Sequence, residues 1–284
     1  ECDLTVARTG ENAFYIVTGT GFATHNFDWI ARNIPAGMDC ALTDITADNA
    51  VLSLMGPRAR DILRAVCDDD VSNQGFAFGA VRSIEVANCP VLALRITYVG
   101  ELGWELHMPV EHAVTVYAAL MAAGAPHGLQ NAGYRAIESL RLEKGYRAWG
   151  SDIGPDHTPH EAGLGWAVKL KSNVAFKGRA AVAAQQASGV RKMLAGFTVD
   201  DPATILLGRE TIYRDGKRVG WLTSGGYGYT FAKSIGYGYV HYPDGVDKDY
   251  LVAGRYELEV ATQRVPCELH IGPLYDPKMA RVKR

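Results

Sequence analysis

Residues 98–106 (YVGELGWEL) bring together the residue types that could bind a flat heterocycle. The two glycines allow close approach to the backbone, and Tyr98 and Trp104 offer aromatic faces. Glu105 alternates with Trp104 on a predicted strand, so its carboxylate points either to the core side or to the solvent side. A carboxylate beside aromatic surface suits a ligand with an amidine-like edge, such as a pterin, through paired hydrogen bonds. A solvated Glu105 on an edge strand is an equally good interpretation of this segment alone.

A predicted helix over residues 133–145 carries a second candidate, Arg141. Glu138 lies three residues earlier, the spacing at which side chains meet on a helix surface. The positive charge of Arg141 is also favourable near the C-terminal end of the helix. Two interpretations therefore stay open: an ion pair within the helix, and an arginine that binds an anion.

Two other segments have motif-like spacing. Residues 19–24 (GTGFAT) imitate a dinucleotide-binding fingerprint, but Thr24 replaces the third glycine and the preceding strand belongs to a hairpin. A turn and a helix cap are the favoured interpretation. Residues 152–161 contain Asp, His and Glu, but Pro155 and Pro159 break any helix that would align two metal ligands. We predict turn-capping groups there and no metal site.

The scaffold ahead of these segments is predicted to alternate strands and helices. Its elements are strands at 3–8 and 13–18 around a tight turn at 9–12, a helix over 25–33 with Thr24 as N-cap and Pro35 behind its end, strands near 39–44 and 49–54, and a helix from Pro57 to about Cys67. This order predicts an α+β fold.

In the rest of the chain the predicted secondary structure changes near residue 190, from mixed helices and strands to strands. Before that point we predict strands at 80–86 and 91–98, helices at 110–123 and 133–145, an ordered loop at 146–177 and a helix at 178–187. After Lys192 the predicted strands are 193–199, 209–214, 218–223, 235–241 and 255–260, with a hairpin turn at Asp215-Gly216. The sequence thus predicts two domains, 1–190 and 191–284, the second an antiparallel β-barrel or sandwich.

Composition excludes several classes of protein. The chain has 284 residues, 48% of them hydrophobic, and a formal net charge of −2. No basic excess indicates a nucleic-acid partner, and no apolar run approaches the roughly 18–20 residues of a membrane span. Five cysteines are scattered, without a CxxC pair, which predicts neither a disulfide framework nor a zinc site. A reduced compartment fits best: the cytoplasm, or the mitochondrial matrix in a eukaryote. Because the chain begins with ECDLTV, directly in a strand pattern, we expect it to be part of a longer polypeptide.

Several segments together resemble the aminomethyltransferase (glycine-cleavage T-protein) family. The wording is most similar to the folate-binding C-terminal region of dimethylglycine and sarcosine dehydrogenases and oxidases. The matching segments are ECDLTV at 1–6, FDWI at 27–30, LMGPRARDIL at 54–63, YVGELGWELHMP at 98–109, the helix and loop at 134–170, GRETIYRDGKRVGWLTSGGYGYT at 208–230, SIGYGYV at 234–240 and PLYDPKM at 273–279. They follow the family's order over nearly the whole chain.

The resemblance implies a cloverleaf-like α+β fold that binds tetrahydrofolate in a central channel. Asp3 matches an aspartate that lies near N10 of the folate and acts in catalysis, although many T-proteins have a second aspartate where this chain has Cys2. Glu105 matches the carboxylate that contacts the pterin, and Arg141 matches the arginine of the Leu-Arg-Leu-Glu helix. Thr5 and Tyr98, beside these positions, are further candidates for cofactor binding.

The function implied is tetrahydrofolate-dependent transfer of an aminomethyl or methylene unit. The chain would be an enzyme domain, the folate-accepting part of a flavoprotein that demethylates dimethylglycine or sarcosine, with FAD only on a separate upstream domain. Its partners would be tetrahydrofolate and a one-carbon unit from a methylated amine. Two alternatives stay open: a stand-alone T-protein that uses a lipoyl-bound aminomethyl group, and a non-catalytic folate-binding or regulatory module. The sequence does not identify the amine.

Overall fold

The computed structural model describes residues 2–284; Glu1, the first residue of the ECDLTV segment, lies outside the described residues. Two compact units divide the chain, one from Glu1–Ala132 and Lys278–Arg284, the other from Gly133–Pro277. The first contains one cluster of buried apolar side chains and the second contains two. Within residues 2–284 no helix combines the length and the apolar character that a membrane crossing requires.

The first unit begins with a hairpin and a helix, as predicted. Strands β1 (Leu4–Arg8) and β2 (Phe14–Thr18) are antiparallel. Helix α1 (Ala23–Asn33) follows. Ile34 has an extended backbone at the end of α1 because it precedes Pro35, whose ring disfavours a helical conformation in the preceding residue.

Two local predictions in this region are wrong. Thr24 does not cap α1: Phe22 occupies the N-cap position, without a side-chain capping bond. A 3₁₀ turn at Thr20–Phe22 leads directly into α1, and the Ala23 amide already donates to the Thr20 carbonyl. Residues 39–44 form no strand, and nearly all of them are exposed. A strand needs a paired neighbour and a buried face, and these residues have neither.

A four-stranded antiparallel sheet forms the centre of the first unit. Its strands are β3 (Asn49–Met55), β4 (Val81–Val86), β5 (Cys89–Leu94) and β6 (Gly103–Pro109), in the spatial order β3-β6-β5-β4. Helices α2 (Ala59–Arg64) and α3 (Ala113–Gly124) contribute to the same core as this sheet. Trp104, Leu106 and Met108 alternate along β6 and are fully buried in that core. Each contributes about 1.5–3 kcal/mol by burial.

The second unit combines helices with a closed barrel. Helices α4 (Tyr134–Lys144) and α5 (Arg179–Ser188) precede it, and a short helix α6 (Lys248–Ala253) lies between strands. The strands are β7 (Val190–Val199), β8 (Thr211–Arg214), β9 (Lys217–Gly228), β10 (Lys233–Val246), β11 (Tyr256–Val260) and β12 (Gln263–His270). They close in the order β10-β7-β12-β11-β8-β9. The predicted C-terminal β lobe is confirmed, while β12 and α6 were not predicted.

The turn between β8 and β9 shows why the local prediction there succeeded. Arg214 pairs with Lys217, so only Asp215 and Gly216 form the loop. Their φ angles are +51° and +75°, the left-handed values of a type I′ turn, which Asp-Gly adopts readily. The division into domains 1–190 and 191–284 stays a prediction. Helix α4 packs against β9 and β10 and belongs to the same compact unit as these strands.

Candidate functional site

Asp3 lies immediately before β1. The Thr18 hydroxyl donates to its backbone carbonyl at 3.4 Å, and the same hydroxyl accepts a hydrogen bond from the buried side chain of Asn26 on α1. The Asp3 side chain is open to solvent, yet enough protein surrounds it for desolvation to raise its pKa. Thr5, two residues further on, is half-buried and pairs with Val17. The hairpin thus holds both residues at a defined position beside α1.

Glu105 lies on the face of the sheet that points away from the core. Its neighbours Trp104 and Leu106 point into the core, so the alternation of the strand places Glu105 and His107 on the opposite face. β6 lies between β3 and β5, so the interpretation of an edge strand is wrong. Across the sheet Glu105 pairs with Ser53 and with Leu94. Its side chain retains 22% exposure and is therefore accessible to a ligand.

His107 joins Glu105 to the N-terminal hairpin. Nδ1 of His107 lies 3.2 Å from the Tyr15 hydroxyl, and the two rings meet edge to face with centroids 5.3 Å apart. Nε2 of His107 lies 3.5 Å from a carboxylate oxygen of Glu105. The His107 side chain has 2% exposure, and burial raises the pKa of Tyr15. Tyr15, His107 and Glu105 therefore lie in a row of neighbouring polar side chains on this face.

Tyr98 lies in the loop that connects β5 with β6. Its side chain is exposed, and the following backbone amide, of Val99, donates to the Thr97 hydroxyl at 3.2 Å. Gly100 has a φ of +77°, a conformation that a residue with a side chain rarely adopts, and it lets the loop turn into β6. The loop thus presents an aromatic ring before the strand of Glu105.

Arg141 lies on α4 in the second unit, with 1% exposure. Its guanidinium donates to both carboxylate oxygens of Glu138, through Nε at 3.0 Å and through Nη2. It also donates to Asp152 at 2.6 Å, to the Tyr146 carbonyl at 3.0 Å and to the Ser224 hydroxyl at 2.9 Å. The ion pair within the helix is present, and a second carboxylate joins it.

The Asp152 carboxylate, in the segment 152–161, accepts four hydrogen bonds. One carboxylate oxygen accepts from Arg141 and from the Ala148 amide at 3.0 Å, and the other accepts from the hydroxyls of Thr223 and Ser224, each at 2.6 Å. Its side chain has 1% exposure. This carboxylate therefore connects α4, the following loop and β9.

The remaining part of that segment forms local caps. The Thr158 amide donates to Glu161 at 2.9 Å, and the Glu161 amide donates to the Thr158 hydroxyl at 3.3 Å. His157 stacks on Tyr239 with ring centroids 4.4 Å apart. Among residues 2–284 no group of three or more His, Cys, Asp or Glu side chains is placed to hold a metal ion.

Comparison with protein families places the chain. Residues 1–172 match the GCVT N-terminal domain, and residues 192–276 match the glycine cleavage T-protein C-terminal barrel domain. The chain belongs to the glycine cleavage T-protein family. The second match covers most of the barrel strands, which extend over residues 190–270.

Three relatives show how much of the T-protein family pattern this chain covers. Human mitochondrial sarcosine dehydrogenase is 41% identical over the whole chain, which spans 32% of that protein. Aminomethyltransferase from Caldanaerobacter subterraneus is 32% identical over 93% of the chain, which spans 68% of that protein. The glycine cleavage system aminomethyltransferase T from Bartonella henselae has a solved structure that matches 97% of this chain and 72% of its own, with a TM-score of 0.82 and 25% identity.

The T-protein candidates are distributed over both units. Asp3, Thr5, Tyr98 and Glu105 belong to the first unit, and Arg141 belongs to the second. Sequence reasoning missed Tyr15 and His107, and it considered Asp152 only as a turn-capping group. The alternation from Glu105 to His107 was a usable signal, since positions i and i+2 of a strand share a face. No local pattern pointed to Tyr15, which lies 92 residues from its partner.

Proposed function

We propose that this chain accepts a one-carbon unit onto tetrahydrofolate, as the folate-binding part of a demethylating flavoprotein of the dimethylglycine or sarcosine type. The observation that carries the proposal is the family match over nearly the whole chain, together with the similarity to both an aminomethyltransferase and a sarcosine dehydrogenase. The chain spans about a third of the sarcosine dehydrogenase. We therefore assign amine oxidation and FAD to a separate domain.

The polar groups of the chain fit a reduced folate. Glu105 offers an accessible carboxylate for the amidine-like edge of a pterin, and the buried His107 behind it has an unused ring nitrogen. We assign Thr5 and Tyr98 to the same ligand. Arg141 is assigned to anion binding, with Glu138 as the partner that a ligand carboxylate would replace, because the Glu138 side chain has 44% exposure.

Asp3 is assigned as the catalytic base. Tetrahydrofolate, when bound, supplies the nucleophilic amine that takes up the one-carbon unit. The Asp3 carboxylate accepts the proton that is released and stabilises nearby positive charge. Because desolvation raises its pKa, Asp3 is a stronger base than a fully hydrated aspartate. The other assigned residues bind and orient the acceptor, which contributes by proximity.

The test replaces Asp3 by Asn in the complete polypeptide that contains this chain. Formation of methylenetetrahydrofolate should slow by roughly 10²- to 10⁴-fold, the range of a lost general base. Affinity for tetrahydrofolate should stay nearly intact, and oxidation of the amine should release free formaldehyde. Asp48→Asn, at an exposed carboxylate of the same unit, is the control. An undiminished yield of methylenetetrahydrofolate would exclude Asp3, and a wild-type protein that binds no tetrahydrofolate would refute the function itself.

A stand-alone glycine-cleavage aminomethyltransferase is the second candidate. The observation in its favour is that the chain spans more of an aminomethyltransferase, 68%, than of the sarcosine dehydrogenase, 32%. A requirement for a lipoyl carrier protein in the transfer assay would support it. A flavin chromophore in the complete polypeptide would support the first candidate.

The proposed location is a reduced compartment, the cytoplasm or, in a eukaryote, the mitochondrial matrix. All five cysteine side chains are free thiols, and the human sarcosine dehydrogenase is mitochondrial by name. Fractionation of the host cell would test this assignment.

A further inference from the structure

The imidazole of His107 is a buried polar group whose hydrogen bonds are incomplete. Nδ1 is within hydrogen-bond distance of the Tyr15 hydroxyl, whereas Nε2 has no hydrogen-bond partner among the residues that the structure describes. Buried polar groups are nearly always paired, so an exception calls for a reason. The nearest carboxylate oxygen, of Glu105, lies 3.5 Å away, which is too long for a good hydrogen bond.

Tyr15 and Glu105 together favour one tautomer of a neutral His107. The protonated Tyr15 hydroxyl can donate to Nδ1 of His107, and it can also accept from Nδ1–H. When Tyr15 donates, Nδ1 is the acceptor and the proton of the neutral ring lies on Nε2. The opposite tautomer would place a lone pair of Nε2 against the Glu105 carboxylate, which is unfavourable. The tautomer that suits both neighbours accepts from Tyr15 and points Nε2–H toward Glu105.

We infer that Tyr15 and His107 are positioning residues for Glu105, which they hold and orient for the pterin ring of tetrahydrofolate. This inference rests on the proposed function. Glu105 is partly exposed and can rotate, while the His107 ring is held by burial. Hydrogen bonds at a site are often long without the ligand and shorten in the complex. A ligand that engages one oxygen of Glu105 would bring the other within reach of Nε2–H.

The same contact relates the proposed base to the proposed binding residue. Tyr15 lies on β2, which pairs through its whole length with β1, the strand that Asp3 precedes. His107 lies on β6, two residues after Glu105. The hydrogen bond between Tyr15 and His107 therefore joins the hairpin of Asp3 to the strand of Glu105, within one unit.

Two amide substitutions separate the two nitrogens of His107. The amide nitrogen of Gln reaches about as far as Nε2, whereas the shorter Asn offers polar atoms only near the position of Nδ1. In the complete polypeptide, His107→Asn should weaken the calorimetric Kd for tetrahydrofolate by about tenfold, the loss of one hydrogen bond to a charged group. His107→Gln should restore the affinity to within about threefold of wild type. Tyr15→Phe should weaken binding by a smaller factor, because it only releases the tautomer.

A double-mutant cycle distinguishes positioning from a general effect on folding. If His107 acts through Glu105, His107→Asn should change the Kd no further in a protein that already carries Glu105→Gln. Tyr117→Phe, which removes a hydroxyl bonded to Asn131 on the same unit, is the control and should leave the Kd unchanged. Fully additive effects on the Kd in the cycle would overturn the inference alone. The same holds if the wild type binds tetrahydrofolate and neither Tyr15→Phe nor His107→Asn changes its Kd. Absence of binding by the wild type would refute the proposed function and the inference together.

Discussion

Replacement of Asp152 by Asn should strongly lower the stability of the second unit against local unfolding. The carboxylate accepts four hydrogen bonds, two on each oxygen, and both Asp152 and its partner Arg141 have 1% exposure. An Asn side chain keeps one of the two oxygens. Its NH₂ group replaces the second oxygen and faces the two donors that this oxygen accepted from. Removing one partner of a buried ion pair costs about 3–5 kcal/mol when the remaining charge stays buried and unpaired. Glu138 still pairs with Arg141 in this variant, so we expect a cost at the lower end of that range.

The second carboxylate bound to Arg141 provides an internal comparison. The Glu138 side chain has 44% exposure, so Glu138→Gln leaves Arg141 paired with Asp152 and removes an ion pair that solvent screens. Such pairs contribute about 0–1 kcal/mol. The same guanidinium thus predicts a large loss from one partner and a small loss from the other.

Hydrogen–deuterium exchange of the complete polypeptide measures this difference. In peptides from α4 and β9, Asp152→Asn should lower amide protection by about 10²- to 10³-fold, from a tenfold change for each 1.4 kcal/mol, and Glu138→Gln by less than about tenfold. Asp156→Asn, at an exposed carboxylate of the same loop, is the control. Equal losses for Asp152→Asn and Glu138→Gln would refute the reasoning that burial sets the cost.

Two further predictions concern the ligand and the pH. Glu105→Gln should weaken tetrahydrofolate binding by about ten- to a hundredfold, equivalent to about 1.5–3 kcal/mol for a charge-assisted paired contact, and calorimetry showing an unchanged Kd would remove Glu105 from the site. Burial, followed by the charge of Lys192, lowers the pKa of His157, so the unfolded state takes up this proton first as the pH falls. Stability should therefore decrease as the pH falls below about 6.5, and thermal midpoints between pH 7.5 and 5 should decrease less for His157→Gln; an equal decrease in both proteins would contradict the assignment.

The elements that the sequence predicted correctly depend on local chemistry. Alternating side chains identified β1 and β2, the Asp215-Gly216 pair identified a type I′ turn, and Pro35 marked the end of α1. Each of these signals is contained within a few residues, because backbone conformation responds to neighbouring side chains. The wrong predictions lacked such a signal. Residues 39–44 alternate in sequence but have no buried face, and Thr24 does not cap α1 because a 3₁₀ turn leads directly into that helix.

The family was also accessible from the sequence, because the matching segments follow one another in the same order along the chain. What the sequence left open was the surroundings of each candidate. It offered two directions for Glu105 and two roles for Arg141, and it contained nothing to connect Tyr15 with His107. Each of these questions depends on contacts with other elements of the fold.

By itself, then, the sequence determined most of the strands and helices, the Asp215-Gly216 turn, the α+β class and the family, since all of these follow from neighbouring residues or from their order. The tertiary structure alone decided that Glu105 points away from the core, that Asp152 joins Glu138 on Arg141, and that Tyr15 reaches His107. These contacts join residues 11 to 92 positions apart. They depend on how strands pair and on which face of the sheet is buried, and packing fixes both only when the chain is folded.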